Sequence, residues 1–375
     1  MNLTEIIIKK IKENGAISFR DFMEMALYYP DSGYYTSANN KIGANGDYYT
    51  SSSLTPVFGA MIGRQLEEMW RILGENEFTI VEYGAGNGAL CHDILHYLEK
   101  YPEFYEKLNY CIIEKSPAMR ERERKHLHEK VTWHDSIREL PGIMGCILSN
   151  ELLDNFPVHR VVMEDELCEV FVGYENDFVE VLKPAFDALK EYMAQLNVVL
   201  PKGFRTEINL GAIKWLAEIA ANLKNGYVMT IDYGYNSPEL YCTNHSDGTL
   251  TCYNKHSIND DPYRYIGEQD ITTHVNFSAL RHWGSKYNLE CCGYTNQADF
   301  LVALGIVEYL NKTIEKEPDN YINYKKAAFL KHTLLIDMGS KFKVLVQQKG
   351  LPVHELMGLW LSNRIHKEET ASMLA

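Results

Sequence analysis

Residues 78–90 read FTIVEYGAGNGAL: an apolar, partly β-branched run enters glycines at the alternate positions 84, 86 and 88 and leaves on a helical pattern. The run predicts a strand, and Leu90, Ile94 and Leu98 predict a helix with one apolar stripe, so the glycines form the turn between them. A turn stripped of side chains at every second residue can bring bare backbone against a ligand. The stretch lacks the Lys-Ser/Thr pair of a phosphate-binding P-loop, which argues against a nucleoside triphosphate. Gly84, Gly86 and Ala89 do satisfy the loose GxGxxA dinucleotide pattern, but Glu82 stands two residues ahead of Gly84 and Gly88 adds a further alternate glycine.

An acid followed by three alternating glycines suits S-adenosylmethionine, whose zwitterionic end lies against bare backbone while a carboxylate takes its ammonium. Downstream, NYCIIE, VTW and MGCILS read as further strands, and SPAMRERERKHLHEK as a strongly charged helix. Alternating strands and helices predict a parallel sheet covered on both faces, with its ligand site at the carboxyl ends of the strands. Glu114 closes the second strand, where two acceptor oxygens can hold the hydroxyls of a ribose; that suits NAD as well as S-adenosylmethionine. Asp135 follows the third strand and can accept from an adenine amino group, but Ser136 and Glu139 also form a capping box, so Asp135 can equally flank a helix start. After the fourth strand comes SNELLDNFPVHR, in which Glu151 and Asp154 share a face if the chain turns helically. Paired carboxylates can aim a guanidinium, or simply favour a helix N-terminus. His92 and His96 have helical metal-ligand spacing but no third ligand, and we expect a solvated face and no metal.

Upstream, the pattern predicts a first helix at the N-terminus, a second starting at Ser18 and ended by Tyr29-Pro30, and a third capped by Thr55 with Pro56 in its first turn and Gly74 beyond its end. After Pro157 the rhythm changes: VHRVVME, LCEVFVGY and FVEVLK read as antiparallel hairpins and PAFDALKEYMAQL as a helix, an insertion after which helix 211–224 and the strand YVMTIDY resume the sheet. A long polar loop is expected from Gly234 to Gly267, helices at 275–288 and 296–328, and a late strand FKVLVQQ. The expected fold is therefore α/β, with a helical N-terminal segment and lid over 1–75, a first part of the sheet domain over 76–157, an inserted antiparallel β/helical subdomain over 158–210, a second part over 211–350 and a tail over 351–375.

The net charge of −14 argues against nucleic acid and suits a cationic partner. The N-terminus has no run that reads as a signal peptide, an Arg-rich transit peptide or a membrane span. Eight cysteines without a CxxC pair read as a reducing compartment, so a bacterial cytoplasmic location is expected.

FMEMALYYPDSGYY, GDYYTSSSLTPVFG, VEYGAGNGAL, SNELLDNFPVHR, the YGY and GTLTCYNKH stretches and IGEQDITTHVNF together resemble the MidA-type family from about residue 16 to about 350. These are bacterial and mitochondrial proteins with a Rossmann-like class I methyltransferase fold, whose mitochondrial members act as arginine methyltransferases in complex I assembly. The resemblance implies an S-adenosylmethionine site using Glu82, Gly84, Ala85, Gly86, Gly88, Glu114, Lys115, Asp135, Ser136 and Asn150, with the segment around Asp47 and Thr50 folding over it. Glu151 and Asp154 are implied as the catalytic pair, with Asn150 beside them facing the methyl acceptor. It also implies a protein partner presenting arginine, without nucleic acid or membrane, and leaves the oligomeric state open, a homodimer included. A nucleotide-dependent oxidoreductase, and an assembly factor that holds cofactor without essential catalysis, remain as alternatives. GDYYTS and the 234–267 stretch are expected to act as a lid.

Overall fold

The structure, a computed structural model, describes residues 1–37, 51–127, 130–255, 257–315, 321–352 and 354–362. The chain forms two compact units, each gathered from three stretches: residues 1–48, 153–216 and 234–283 in one, and 49–152, 217–233 and 284–375 in the other.

In the second of these, Thr55 is an extended residue after the short helix Ser51–Leu54 and its hydroxyl accepts from the Val57 N–H at 3.3 Å, while Pro56 takes a position whose N–H would have no partner. The helix Pro56–Ile72 that follows buries Phe58, Ile62, Leu66 and Met69. It lies tightly against helix Ala89–Leu98 through two glycines. A Cβ on Gly59 would sit 2.4 Å from Asp93 Cβ, and one on Gly63 2.8 Å from Tyr97 Cδ1. Beneath these helices is the main sheet, eight-stranded among the described residues; the seven strands on its ordered path we number along the chain: β1 Phe78–Tyr83, β2 Leu108–Ile113, β3 Val131–His134, β4 Ile143–Asn150, β5 Leu223–Tyr235, β6 Glu290–Asn296 and β7 Phe342–Lys349. Their order is β6-β7-β5-β4-β1-β2-β3. β1 to β5 pair in parallel, and β7 runs antiparallel to both β5 and β6. The strands are apolar nearly throughout because helices cover both faces; Ile80, Ile112, Ile147, Val228 and Val344 are all buried.

The other unit begins with helix Leu3–Asn14 and helix Phe19–Tyr28, the latter capped by Ser18 accepting from the Asp21 N–H at 3.1 Å. Its larger sheet has the hairpin strands His159–Met163, Leu167–Tyr174 and Phe178–Pro184, joined by Arg205–Ile208 and by the two-residue strand Ile17–Ser18. The N-terminal helices and the inserted hairpins thus share one core, with Phe19, Phe22, Met23, Val158 and Val172 in a single buried cluster.

Several expectations are corrected. The stretch from Gly234 to Gly267 is not one polar loop: Gly234 and Tyr235 pair in parallel with Val275–Asn276, and Thr251–Asn254 lies between Ser257–Asn259 and Asp270–Thr272 in a three-stranded antiparallel sheet. The helix expected over 275–288 runs Phe277–Lys286, and that expected over 296–328 is broken into Gln297–Ala303, Ile306–Glu315 and Tyr321–His332. Strand β6, in ECCGYTN, was not anticipated. The charged helix after β2 is short, Pro117–Arg124. Within the expected tail, Leu356 and Leu359 are buried in the core of the second unit, and the Gly358 N–H donates to Gln65 Oε1 at 2.9 Å.

Candidate functional site

The glycine turn leaves β1 beside the carboxyl ends of β2 and β4. Gly84, Gly86 and Gly88 have φ of +65°, +62° and +78°, values at which an L side chain is strained. Gly88 is also the N-cap of helix Ala89–Leu98 and offers no capping side chain; the Ala89 N–H donates instead to Asn87 Oδ1 at 3.1 Å. Ala85, between the first two glycines, is buried.

Around this turn stand the acids. Glu82 is buried and accepts from the Tyr110 hydroxyl at 2.7 Å; burial pushes its carboxyl up to about 7, with the Tyr110 bond pulling the other way. Glu114, just past β2, accepts from the Ser116 N–H at 2.6 Å and is likewise raised by burial, against the pull of that bond, of Arg120 and of Lys115. Arg120 donates to the Glu114 carbonyl at 2.6 Å and also pairs with the Asp135 carboxylate. Asp135 lies largely exposed, its N–H donating to Glu139 Oε1 at 3.2 Å, and Ser136 caps the short helical turn Ile137–Glu139 by accepting from the Arg138 N–H.

At the end of β4, Asn150 Nδ2 donates to Glu151 Oε1 at 3.1 Å, while the buried Asn150 Oδ1 has no hydrogen-bond partner among the described residues. Glu151 adopts φ +53°, the left-handed region, although it carries a full side chain. Such strain is of order 1–3 kcal/mol and persists only where the surroundings over-determine it. Here the Glu151 N–H donates to the Ile231 carbonyl at 2.9 Å, the Leu152 N–H donates to Asp232 Oδ2 at 3.2 Å, and the Ser51 N–H donates to Glu151 Oε1 at 3.3 Å. The chain then bends without forming a helix, so the expected helical pairing of Glu151 with Asp154 is corrected. Asp154 belongs to the other unit, where it is buried and its carbonyl accepts from the Thr273 N–H at 2.8 Å. Asp47 and Thr50 lie outside the described residues.

Sequence reasoning missed Asp232, fully buried at the end of YVMTIDY, and Tyr110, the partner of Glu82. An acid closing an otherwise apolar strand was the available signal for the first; nothing in the order of residues pairs Tyr110 with position 82. His92 bonds its neighbour Asp93, and among the described residues no group of three or more potential ligands could hold a metal ion.

A bare turn at φ values suited to glycine, flanked by two acids raised by burial and an orphaned buried amide oxygen, fits a zwitterionic nucleoside. A dinucleotide sheet would continue in parallel from β5 to a sixth strand, whereas here the antiparallel β7 intervenes. Fold and site together define a class I S-adenosylmethionine-dependent methyltransferase. The chain belongs to the MidA-type family: the model of a family described as S-adenosyl-L-methionine-dependent methyltransferases matches residues 61–295. A crystal structure of a COG1565 superfamily member from Burkholderia thailandensis, bound to S-adenosyl-homocysteine, is 30% identical over 95% of this chain and 94% of that one, with a TM-score of 0.86. Among curated proteins, a mitochondrial protein arginine methyltransferase NDUFAF7 homolog of Drosophila melanogaster is 24% identical over 93% of this chain and 85% of its own length. The protein arginine methyltransferase NDUFAF7 of Danio rerio is 25% identical over 80% and 76%.

Proposed function

We propose that this methyltransferase acts on an arginine guanidinium of a protein substrate. The observation that carries the reading is Glu151: a carboxylate at the tip of β4, held in a strained conformation by β5 through Ile231 and Asp232. The names of the relatives and the net charge of −14 support a basic protein acceptor.

In this reading Glu82 takes the cofactor ammonium, Glu114 its ribose hydroxyls, and the backbone of residues 84–88 its amino-acid end; Asn150, Lys115, Asp135 and Ser136 complete the surround. When bound, the cofactor supplies an electrophilic methyl group. Glu151 accepts N–H bonds from one side of the guanidinium and localises its positive charge there, which leaves the opposite nitrogen richer in electrons. The remaining catalytic task is orientation at attack distance and exclusion of water.

The test uses radiolabelled cofactor. After incubation with a protein lysate, acid hydrolysis should release the label as methylarginine. Label recovered on lysine, on a carboxyl side chain or only on small molecules rejects the arginine reading. Glu151→Gln should lower transfer about a thousandfold, the scale for removing one preorganised polar group, while cofactor affinity changes by less than about threefold.

A further inference from the structure

Two donors meet on one oxygen of Glu151. Asn150 Nδ2 reaches Glu151 Oε1 at 3.1 Å from the same strand tip, and the Ser51 N–H reaches it at 3.3 Å from a segment 100 residues earlier. Ser51 has no exposed surface; its hydroxyl donates to Gln297 Oε1 at 3.4 Å and lies 3.7 Å from Met338 Sδ. Gln297 opens the helix Gln297–Ala303 straight after β6 and is itself fully buried. Because β7 runs antiparallel to both β5 and β6, β6 points the same way as β4, so Gln297 and Glu151 stand at the same edge of the sheet. In the strand order β5 and β7 lie between them, three strand spacings or about 14 Å. Ser51 joins the two across that distance. The Gln297 amide is half used: Oε1 serves Ser51, and Nε2 has no hydrogen-bond partner among the described residues.

A buried amide with an unmet donor lowers the stability of the fold, so Gln297 is not explained by folding. Nor does its helix need it as a cap, since the Asn296 side chain already accepts from the Asp299 N–H at 2.8 Å. We propose that Gln297 and Ser51 are positioning residues for Glu151: Gln297 holds the Ser51 hydroxyl, and Ser51, thus anchored, holds its N–H on Glu151 Oε1. This rests on the reading of Glu151 as the acid that meets the methyl acceptor. The left-handed φ of Glu151 fixes its backbone but leaves the side chain free to rotate. Asn150 is the adjacent residue, and with that donor alone the carboxylate can still swing about a single hydrogen bond. A second donor from a separate segment fixes both its place and its plane. Orientation governs the rate of such a reaction, and a displacement of about 1 Å costs about a hundredfold.

Gln297→Met keeps the length of the side chain and removes its amide; Ser51→Ala removes the hydroxyl and keeps the N–H. In a crystal structure of Gln297→Met without any acceptor, the contact from the Ser51 N–H to Glu151 Oε1 should open from 3.3 Å to beyond about 3.5 Å, past hydrogen-bond range. With radiolabelled S-adenosylmethionine at saturation and the proteins of a cell lysate as acceptor, each variant should transfer label at about one-thirtieth of the wild-type maximal rate. The lysate concentration giving half that maximum, and S-adenosylmethionine affinity by calorimetry, should stay within about threefold of wild type. Both variants cut the same link, so the double variant should be no slower than the slower single one. It should also melt no lower than wild type, because both partners of a buried bond, and the unmet donor with them, become apolar. An unchanged contact between Ser51 and Glu151 in Gln297→Met overturns the proposal. So do losses that multiply in the double variant, a fall in rate that tracks a fall in melting temperature, or wild-type rates in both single variants while Glu151→Gln is slow. The reading of Glu151 fails separately, if Glu151→Gln itself transfers label at the wild-type rate.

Discussion

Glu82 shows how one buried position couples folding to protonation. Against an ordinary value of 4.5, burial lifts its carboxyl to about 7, so the native protein keeps a proton that the unfolded chain has already released. The stabilisation from that proton is complete below about pH 4.5 and is lost as the pH rises through about 7. At about 1.4 kcal/mol per pKa unit, the loss between pH 5 and pH 8 is about 2.5 kcal/mol. Urea unfolding should therefore show wild type losing about that much more stability across the interval than Glu82→Gln, whose amide still accepts from Tyr110. Equal pH slopes for the two proteins would show that Glu82 is ionised in the native state. Position 82 stood out in the sequence because an acid before alternating glycines is a local pattern. The contact of Ser51 with Gln297 was not legible, because the two lie 246 residues apart and only the fold brings them together beside Glu151. Asp232 and Tyr110 were hidden for a related reason: their partners, Leu152 and Glu82, are distant in sequence and are joined only by strand order.

Among elements, the helix Pro56–Ile72 was legible to its ends, since Thr55, Pro56 and Gly74 mark a cap, a first turn and a stop. The meaning of its two inner glycines was not. Gly59 and Gly63 are one turn apart and let the helix approach Asp93 and Tyr97 on the helix that starts at the glycine turn. Gly59→Ala would place a carbon where Asp93 Cβ already is, and neither group lies at the flexible end of a side chain, so one helix must move. We expect a loss of about 1–3 kcal/mol, the usual scale of overpacking, despite the gain in helix propensity. Because the displaced helix begins at Gly88, cofactor affinity should fall as well. Thermal melting together with a cofactor titration checks both; an alanine variant as stable as wild type would mean that the two helices separate without cost. Strand β6 escaped the sequence reading because ECCGYTN has no clean alternation and a register shift between Cys291 and Gly293. The strands Thr251–Asn254, Ser257–Asn259 and Asp270–Thr272 are too short to show a period at all.

Across the whole molecule, the order of the chain conceals the order of the fold. Each compact unit is gathered from three stretches, and the N-terminal helices share a core with hairpins about 150 residues later, joined by the Ile17–Ser18 pairing to Val172 and Phe171. A two-residue strand leaves no trace in periodicity, which is why a helical prelude and an insertion read as separate parts. Charge, by contrast, is a property the sequence reports directly. A net −14 favours a basic acceptor over distances comparable with the screening length, about 10 Å at 0.1 M salt. If the acceptor is an arginine-bearing protein recruited by this field, its KM should rise by about tenfold between 0.05 and 0.5 M salt, with kcat little changed. If Glu82 and Glu114 hold the cofactor as proposed, its affinity should respond far less, because Glu82 is buried and Glu114 mostly so, and ions do not reach between such groups and a bound ligand. Steady-state kinetics over a salt series, with each substrate varied in turn, separates the two. A KM for the acceptor that ignores salt would mean that recognition rests on local contacts around Glu151 and that the acidity of the molecule serves solubility alone.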